Sequence, residues 1–324
     1  GLEGEAIEKL ILKNVRELLI RLTKLIPIVI VMEDLHWADT TSLELLKSLF
    51  RIAQTHRVVF INIFRPGYWQ EDDREIETLS QWLPEIEFAE IAIKPLDKQM
   101  RETLINSTVQ VKGLGYAVKQ QIVDRAGGNP FFIEEIVRSF IDEGAIVRTN
   151  GIFEVTKKID HIQIPSTIID VLMTRIDLLE ERTRELIKVA SVIGRSFFDR
   201  ILKDVATTIE GVDERLAFLK DAQFIRDHIR MEELEYVFKH ALVQEAAYES
   251  TLIQQRKRLH RKVAQSIEKI FQERLQEFYG MLAFHYSMAE EAEKAEEYMM
   301  KAGSEALRSS ASNEALHYFQ EALQ

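Results

Sequence analysis

The sequence predicts an α/β segment at the N-terminus followed by a mostly α-helical remainder. Two short apolar runs rich in Ile and Val, residues 28–32 and 58–64, flank an amphipathic stretch at 40–53. Strand, helix and strand in this order predict a βαβ unit, in which the two strands are parallel and the crossover is right-handed. Beyond residue 95, apolar residues recur mainly at helical spacing, and strand-like runs are short.

The composition excludes several classes of protein. The chain has 324 residues, of which 46% are hydrophobic and 29% charged, which is typical of a globular protein of more than one domain. Its net charge of −11 argues against a general binder of nucleic acid or anionic membranes. Without cysteine it has no disulfide, thiolate metal site or cysteine nucleophile. We therefore expect a cytoplasmic protein with no membrane segment.

The first predicted strand ends at two adjacent acids, Glu33 and Asp34. A helix over residues 5–25, ended by Pro27, precedes this strand. Ligands of parallel sheets bind outside the carboxyl ends of the strands. Two carboxylates at that edge can hold a hydrated Mg²⁺ and orient a water for attack on a phosphate. The alternative is a buried strand that ends in a solvated acidic turn.

The second predicted strand ends near Arg65. At the tip of a strand beside the two acids, its guanidinium group could reach a terminal phosphate with a fork of donors. The alternative is a surface arginine before the turn at Pro66. Residues 88–93 alternate between apolar and other residues, which predicts one more strand before Pro95.

A glycine-rich turn marks the next region. Gly127 and Gly128 are suited to end one helix, and Asn129-Pro130 is suited to begin the next, because proline fits the first helical turn. The alternative is an ordinary turn between two helices. Residues 146–155 contain the pair Asn150-Gly151 and predict a β-hairpin.

Residues 161–252 predict a further domain. We expect four amphipathic helices, followed by two strand-like runs around a polar segment. The helices are expected at 165–179, 181–193, 197–205 and 212–220. This order resembles a winged-helix domain. Its recognition helix, at 212–222, contains three acids and two bases, so we favour a structural or nucleotide-sensing role over DNA reading.

His240 follows the second of these strands, within Phe238-Lys239-His240-Ala241-Leu242. An imidazole can donate a hydrogen bond to a phosphate and titrates near neutral pH. A histidine that caps a helix or lies in the core is the alternative.

The last part of the chain, residues 253–324, predicts helices. Basic residues concentrate in the helix at 255–271, where we expect a solvated helix face. Further on, a spacing of small and large residues occurs twice, as in tetratricopeptide-like helix pairs. The two sets are Ala295, Met299, Ala302 and Ala315, Phe319, Ala322.

The motifs together resemble a known class of ATPases. Glu33-Asp34-Leu35-His36-Trp37-Ala38-Asp39 is similar to the Walker B region of the STAND class of AAA+-like P-loop NTPases. The branch it resembles occurs beside bacterial class III adenylate and guanylate cyclases, protein kinases or transcription regulators. Gly128 and Pro130 match the Gly-x-Pro motif of this class, and the segment at His240 matches its Phe-x-His-x-Leu segment.

The resemblance implies a role for each of these residues. Glu33 would serve Mg²⁺, Asp34 would orient the attacking water, and Arg65 would be the sensor 1 arginine. Gly128 and Pro130 would lie at the adenine, and His240 would contact the diphosphate in the closed state. The resemblance further implies a partial P-loop sheet (residues 1–95), a helical lid (96–160), a winged helix (161–252) and the start of an α-solenoid (253–324).

The chain departs from this class in two respects. It contains no Gly-x4-Gly-Lys-Ser/Thr, the loop that supplies most phosphate affinity in these folds. We expect this Walker A segment upstream in a longer protein; the alternative is a degenerate module that no longer binds ATP. The acids also stand in the order Glu-Asp instead of the usual Asp-Glu, from which we expect slow ATP hydrolysis.

Three functions follow, in order of preference. The first is a regulatory switch that binds ATP or ADP with Mg²⁺ and controls an effector in the same polypeptide, such as a nucleotide cyclase. It would form homo-oligomers on activation and contact protein partners through its helical tail. The second is a nucleotide-free scaffold for protein interaction. The third, a winged-helix DNA binder, is opposed by the charge.

Overall fold

The computed structural model describes residues 2–38, 40–65, 69–71, 74–76, 89–108, 111–149, 152–230, 233–308 and 312–323. Helices predominate among them, and the strands form four small sheets, which confirms a mostly α-helical chain. The chain divides into two compact units, residues 1–92 with 295–324 and residues 93–294. The finer division into four domains stays a prediction. Across the described helices, none is both long and apolar enough to cross a bilayer.

The first unit begins with the predicted strand–helix–strand order. Its elements are α1 (Leu2–Leu25), β1 (Ile28–Met32), α2 (Thr40–Phe50), β2 (Val58–Asn62) and the short pair β3 (Trp69–Glu71) and β4 (Arg74–Ile76). β1 and β2 pair in parallel, as predicted, with Ile28 opposite Val58 and Met32 opposite Asn62.

Among the described residues, helices cover one face of this parallel pair. Leu49 and Ile52, with Val15 and Leu19 of α1, pack against the face that carries Val58. The residues of the opposite face are between 45 and 61% exposed, namely Val29, Val31, Val59 and Ile61.

The strand predicted at 88–93 is wrong. Residues 89–97 have no regular secondary structure, and no strand in the described ranges pairs with them. Ile91 and Ile93 are 84% and 92% exposed. Alternation of side chains makes a segment suitable for a strand, but a strand forms only where a neighbour satisfies its backbone groups. Phe88 lies outside the described residues.

The second unit opens with the predicted lid region. It contains α3 (Lys98–Thr108), β5 (Val111–Lys112), α4 (Tyr116–Ala126), α5 (Pro130–Asp142), β6 (Ile146–Thr149) and β7 (Ile152–Val155). The predicted hairpin is confirmed, because β6 and β7 are antiparallel with Thr149 opposite Ile152. Asn150 and Gly151 lie outside the described residues. α5 buries Phe132, Ile133, Ile136, Val137 and Phe140 at helical spacing and forms the centre of this core.

The next elements are α6 (Ile168–Asp177), α7 (Glu181–Ile193), β8 (Ser196–Phe198), α8 (Asp199–Val205), α9 (Val212–Asp221), β9 (Ile225–Arg230) and β10 (Glu233–Phe238). The three strands form an antiparallel sheet in the order β8-β10-β9. Phe197, predicted to begin a helix, instead lies in β8 opposite Tyr236, and both rings are buried. Burial of these rings on the sheet outweighs the helical spacing of the segment.

A buried arginine joins α5 to the elements that follow it. Arg175 on α6 is 2% exposed. Its guanidinium group pairs with Glu135, donates to Asp142 at 2.6 Å and donates to the carbonyl of Ala222 at 3.1 Å. Burial raises the pKa of the Glu135 carboxyl, while the charge of Arg175 opposes that rise. A buried charge is tolerated when it is paired and its donors are satisfied, as they are here.

The chain ends in helices. They are α10 (Ala241–Glu249), α11 (Ile253–Ile270), α12 (Tyr279–Met288), α13 (Ala292–Arg308) and α14 (Ser312–Ala322). α13 and α14 touch at Gly303, where an added Cβ would lie 2.6 Å from the Phe319 ring. The tail therefore uses a small residue for a close helix contact, while a tetratricopeptide-like array stays a prediction.

Two buried histidines join α10, α11 and α12. His260 and His285 are 1% and 0% exposed, and their Nδ1 atoms are 2.8 Å apart. Tyr248 lies 3.1 Å from Nε2 of His260. Because one Nδ1 must donate and the other accept, at least one ring is neutral. Burial lowers the pKa of His260 to about 4 and that of His285 to about 3. The charge of nearby Arg256 also lowers the pKa of His260, and His260 also lowers the pKa of His285.

The stability of the second unit should decrease as the pH falls from 6.5 toward 4. The folded chain keeps both imidazoles neutral, whereas unfolded histidines bind protons near pH 6.5, so acid favours the unfolded chain. Above pH 6.5 the contribution of the two neutral histidines to the stability of the folded chain is fully present. For His260 the shift from 6.5 to about 4 corresponds to about 3 kcal/mol in the free energy of unfolding. Urea titrations at several pH values measure this change in the free energy of unfolding.

A pair of variants separates this effect from the titration of carboxylates. His285→Leu should flatten the dependence of the free energy of unfolding on pH between 6.5 and 4. His317→Gln, which alters a histidine that is 66% exposed, should keep the wild-type dependence. Equal slopes in the two variants would show that the buried pair does not set the acid sensitivity.

Candidate functional site

Glu33 and Asp34 directly follow β1, as the sequence predicted. Glu33 is exposed and Asp34 is partly exposed. Asp34 has a left-handed backbone (φ 55°, ψ 33°) and precedes a short 3-10 helix, Leu35–Trp37, of which Leu35 and His36 are buried. Aspartate tolerates this conformation better than most residues, but the conformation still costs free energy in any residue other than glycine. The turn thus places two carboxylates in succession at the carboxyl end of the strand.

Arg65 lies at the same edge of the sheet. The parallel pairing continues past both strands, because Ile63 N donates to Met32 O at 2.8 Å and Leu35 N donates to Ile63 O at 3.1 Å. Arg65, two residues beyond Ile63, is exposed. The backbone therefore brings Glu33, Asp34 and Arg65 together at one edge.

Asn62 is a residue of this edge that the sequence reasoning missed. Its Oδ1 is buried at the end of β2 and accepts no hydrogen bond from the residues that the structure describes. A polar atom buried without a partner costs free energy, and a bound ion or water at this edge would remove that cost. The available signal was a polar residue inside an otherwise apolar run.

The carboxylate oxygens of Glu33 and Asp34 are suitable ligands for a Mg²⁺ ion that is also bound to a phosphate. That ion takes one or two carboxylates and fills its remaining positions with water and phosphate oxygens. Glu33 and Asp34 would be the carboxylates of such a site. No group of three or more His, Asp or Glu side chains in the described ranges is arranged to hold a metal by itself.

The turn at Gly127 and Gly128 is held in place by the connector that precedes α3, which contains Pro95 and Leu96. Leu96 N donates to Gly128 O at 2.9 Å, and Gly128 has φ +88°. An added Cβ at Gly128 would lie 2.7 Å from Leu96 O and 2.9 Å from Pro95 Cβ. Glycine is thus required here for two reasons, its conformation and its contact with the connector.

Asn129 and Pro130 begin α5 in the predicted way. The Asn129 side chain accepts from the backbone N–H of Phe131 at 3.0 Å and caps the helix, and Pro130 occupies its first turn. The first turn of α5 is thereby held close to Gly128 and the connector.

His240 lies against this turn. It is the N-terminal cap residue of α10, and its ring packs against Phe131 with ring centroids 3.9 Å apart and ring planes tilted by 36°. Burial lowers the pKa of His240, and the positive charges of Lys239, Arg138, Arg226 and Arg195 lower it further. The structure therefore joins two motifs that are distant in the sequence. Phe131 and the four cations are the neighbours that the sequence reasoning missed, since they come from separate elements.

The predicted site residues thus fall into two groups. Glu33, Asp34 and Arg65 belong to the first unit, whereas Gly128, Pro130 and His240 belong to the second. Each group is brought together within its own unit.

The basic helix α11 is largely occupied by ion pairs. Arg256 pairs with Glu249, Lys257 with Glu290 and Arg261 with Glu291. This favours the predicted solvated helix face over contact with nucleic acid, because cations that already have carboxylate partners attract nucleic acid less strongly.

Two comparisons place the chain among known proteins. A family model described as a domain of unknown function (DUF8739) matches residues 97–152, which include the glycine turn. The chain is also 27% identical over 304 residues to an uncharacterized protein of Rhizobium meliloti (strain 1021). That alignment covers 92% of this chain and 28% of the relative, so the chain spans little more than a quarter of the relative's length.

The two glycines of the turn provide a matched test of the site. Gly127→Ala should cost about 1 kcal/mol, because Gly127 has φ +57° but open space around it. Gly128→Ala should cost about 2 kcal/mol more, since its Cβ would collide with the connector. Urea unfolding of both variants measures the difference. Equal losses would mean that the contact between Gly128 and the connector contributes nothing.

Proposed function

We propose that this chain is the switch module of a STAND-class signal-transduction ATPase, which responds to ATP and ADP and controls an effector in the same polypeptide, such as a nucleotide cyclase. The observation that carries the proposal is the contact of Phe131 with His240, whose ring centroids are 3.9 Å apart. It joins the Gly128-Pro130 turn to the histidine motif, and the resemblance assigns both to the nucleotide.

The edge of the parallel pair supports the same proposal. Glu33 would hold Mg²⁺, Asp34 would orient the attacking water, and Arg65 would contact the terminal phosphate. Their common position follows from the hydrogen bonds that join Ile63 to Met32 and to Leu35. The side chain of Asp34 is shorter than a glutamate, so we expect slow hydrolysis, which suits a switch better than a motor.

The module at 161–252 supports a winged helix in a structural role. Its helices precede the antiparallel hairpin β9-β10, with β8 added at the side of β10. On that hairpin His228 is paired with Glu235, and Asp227 with Lys220. The carboxylates of this hairpin lie beside basic groups of the same module, which opposes DNA binding.

A nucleotide-free scaffold is the second candidate. The close contact of Gly303 with Phe319 favours it, because helix pairs of this kind build surfaces for protein partners. In either case we propose a cytoplasmic protein whose tail contacts other proteins. For the switch we also propose homo-oligomers on activation.

A single substitution distinguishes the candidates. In the full-length polypeptide, His240→Ala should release ADP about tenfold faster and raise basal effector activity, since one hydrogen bond to a charged group is lost. Retention of ATP should change less, because the histidine is assigned to the ADP state. Dissociation of a fluorescent nucleotide measures both rates.

His317→Ala is the control, since His317 is 66% exposed and lies in the tail. Unchanged ADP release and basal activity in His240→Ala would show that His240 does not contact the nucleotide.

A further inference from the structure

One helix of the second unit has no charged side chain. α12 (Tyr279–Met288) contains no Asp, Glu, Lys or Arg, unlike every other α-helix in the described part of the chain. A helix that is apolar on all sides is normally buried on all sides. The composition of α12 therefore predicts neighbours around its whole circumference.

The structure covers one side of α12 and leaves the other open. Its buried residues, each at most 3% exposed, are Leu282, Ala283, His285 and Tyr286. On the opposite side, Met281, Phe284 and Met288 are 39%, 54% and 39% exposed. Spacings of three and four residues place these three side chains on one face of the helix, so they form a continuous apolar strip.

This strip has the chemistry of a surface that binds another helix. Methionine side chains are flexible and polarizable, and they pack well against aromatic rings. Apolar residues at positions i, i+3 and i+7 are also the pattern through which a helix contacts an apolar partner. The open face of α12 is therefore suited to a second helix with an apolar face.

The order of the three side chains is self-complementary. Met281 is three residues before Phe284, and Met288 is four residues after it. In an antiparallel pair of α12 helices with a twofold axis near Phe284, Met281 of one copy lies opposite Met288 of the other. The two Phe284 rings then meet at the axis. A twofold interface requires each contact to recur with the copies exchanged, and this pattern meets that requirement.

The charges around this face also permit contact between two copies. Because the net charge of the chain is −11, two copies repel each other, and the uncharged strip adds nothing to that repulsion. The acids that follow α12 are already paired, Glu290 with Lys257 and Glu291 with Arg261. Covering the strip therefore buries neither acid without its partner, which would be costly.

We propose that the open face of α12 is the docking surface for a second copy of this chain, with the two α12 helices antiparallel. Since α12 has ten residues, the interface is small, and the dimer should dissociate in the micromolar range. The pairing requires no nucleotide. It is therefore distinct from the oligomers proposed for the activated switch, and it goes beyond that proposed function.

Analytical ultracentrifugation of this chain over a range of concentrations measures the pairing. The wild type should show a monomer–dimer equilibrium. Met281→Glu should weaken the dimer at least tenfold, because it places a carboxylate against an apolar side chain of the other copy. Met100→Glu is the matched control, since Met100 is 56% exposed on α3, and it should associate as the wild type does. A wild-type chain that is monomeric at every concentration would overturn the proposal.

A pair of double variants tests the antiparallel register. With Met281→Glu and Met288→Lys in one chain, the introduced carboxylate faces the introduced amine of the other copy at both ends, so the dimer should recover. With Met281→Glu and Met288→Glu, like charges face each other, and the chain should stay monomeric. Urea unfolding of each variant shows that it is folded. Failure of the opposite charges to restore the dimer would contradict the antiparallel pairing.

The absence of cysteine from the chain allows a second test that does not depend on introduced charge. Under mild oxidation, a mixture of Met281→Cys and Met288→Cys copies should form a disulfide-linked dimer faster than either variant does alone, because only the mixture brings the two thiols together. Met100→Cys should not form such a dimer. Equal cross-linking in the mixture and in the Met100→Cys control would reject the interface.

The full-length polypeptide reveals whether something else covers this face. It should be dimeric both with and without added nucleotide. A monomeric full-length polypeptide that shields Met281→Cys from a maleimide would assign the face to another segment of the same polypeptide and reject the second copy. Neither result depends on retention of ADP, so the switch and the dimer can fail separately.

Discussion

The buried guanidinium group of Arg175 is the constraint on which the arrangement of the second unit depends. It attaches α6 to two carboxylates of α5, Glu135 and Asp142, and reaches the end of α9 through Ala222 O. Removing one member of such a network leaves a buried charge without its partner, which typically costs about 3–5 kcal/mol. Because α5 is fixed in this way, Phe131 in its first turn is held at His240. The position of Phe131 in the candidate site therefore depends on this ion-pair network.

The first unit depends on a different constraint, the parallel pairing of β1 with β2. The pairing extends beyond the strands and sets Glu33 and Asp34 beside the segment that carries Arg65. This edge and the turn at Gly128 are built within separate units. A switch of this kind needs contacts that differ between the ATP and ADP states, and Arg65 and His240 are the residues proposed to supply them.

Local patterns in the sequence predicted much of the fold. The βαβ unit, the hairpin at 146–155 and the start of α5 follow from apolar spacing, turn residues and the cap at Asn129. The strand at 88–93 was wrong, because alternation does not provide a neighbouring strand. The pairing of His260 with His285, the burial of Arg175 and the cations around His240 could not be predicted, since each joins elements that are distant along the chain. The positions of Gly128, Pro130 and His240 were predictable from motifs, but their contact through Phe131 was not.

The measurement that tests the account most directly is the nucleotide content of the purified full-length polypeptide. The protein would be denatured and any released nucleotide identified by ion-exchange chromatography, in parallel with the chain described above. The account predicts stoichiometric ADP or ATP in the full-length polypeptide and little in this chain, whose sequence has no phosphate-binding loop. No nucleotide in either, together with no heat of binding when Mg-ATP is added, would contradict it. Glu33, Asp34 and Arg65 would then be structural residues of a protein scaffold.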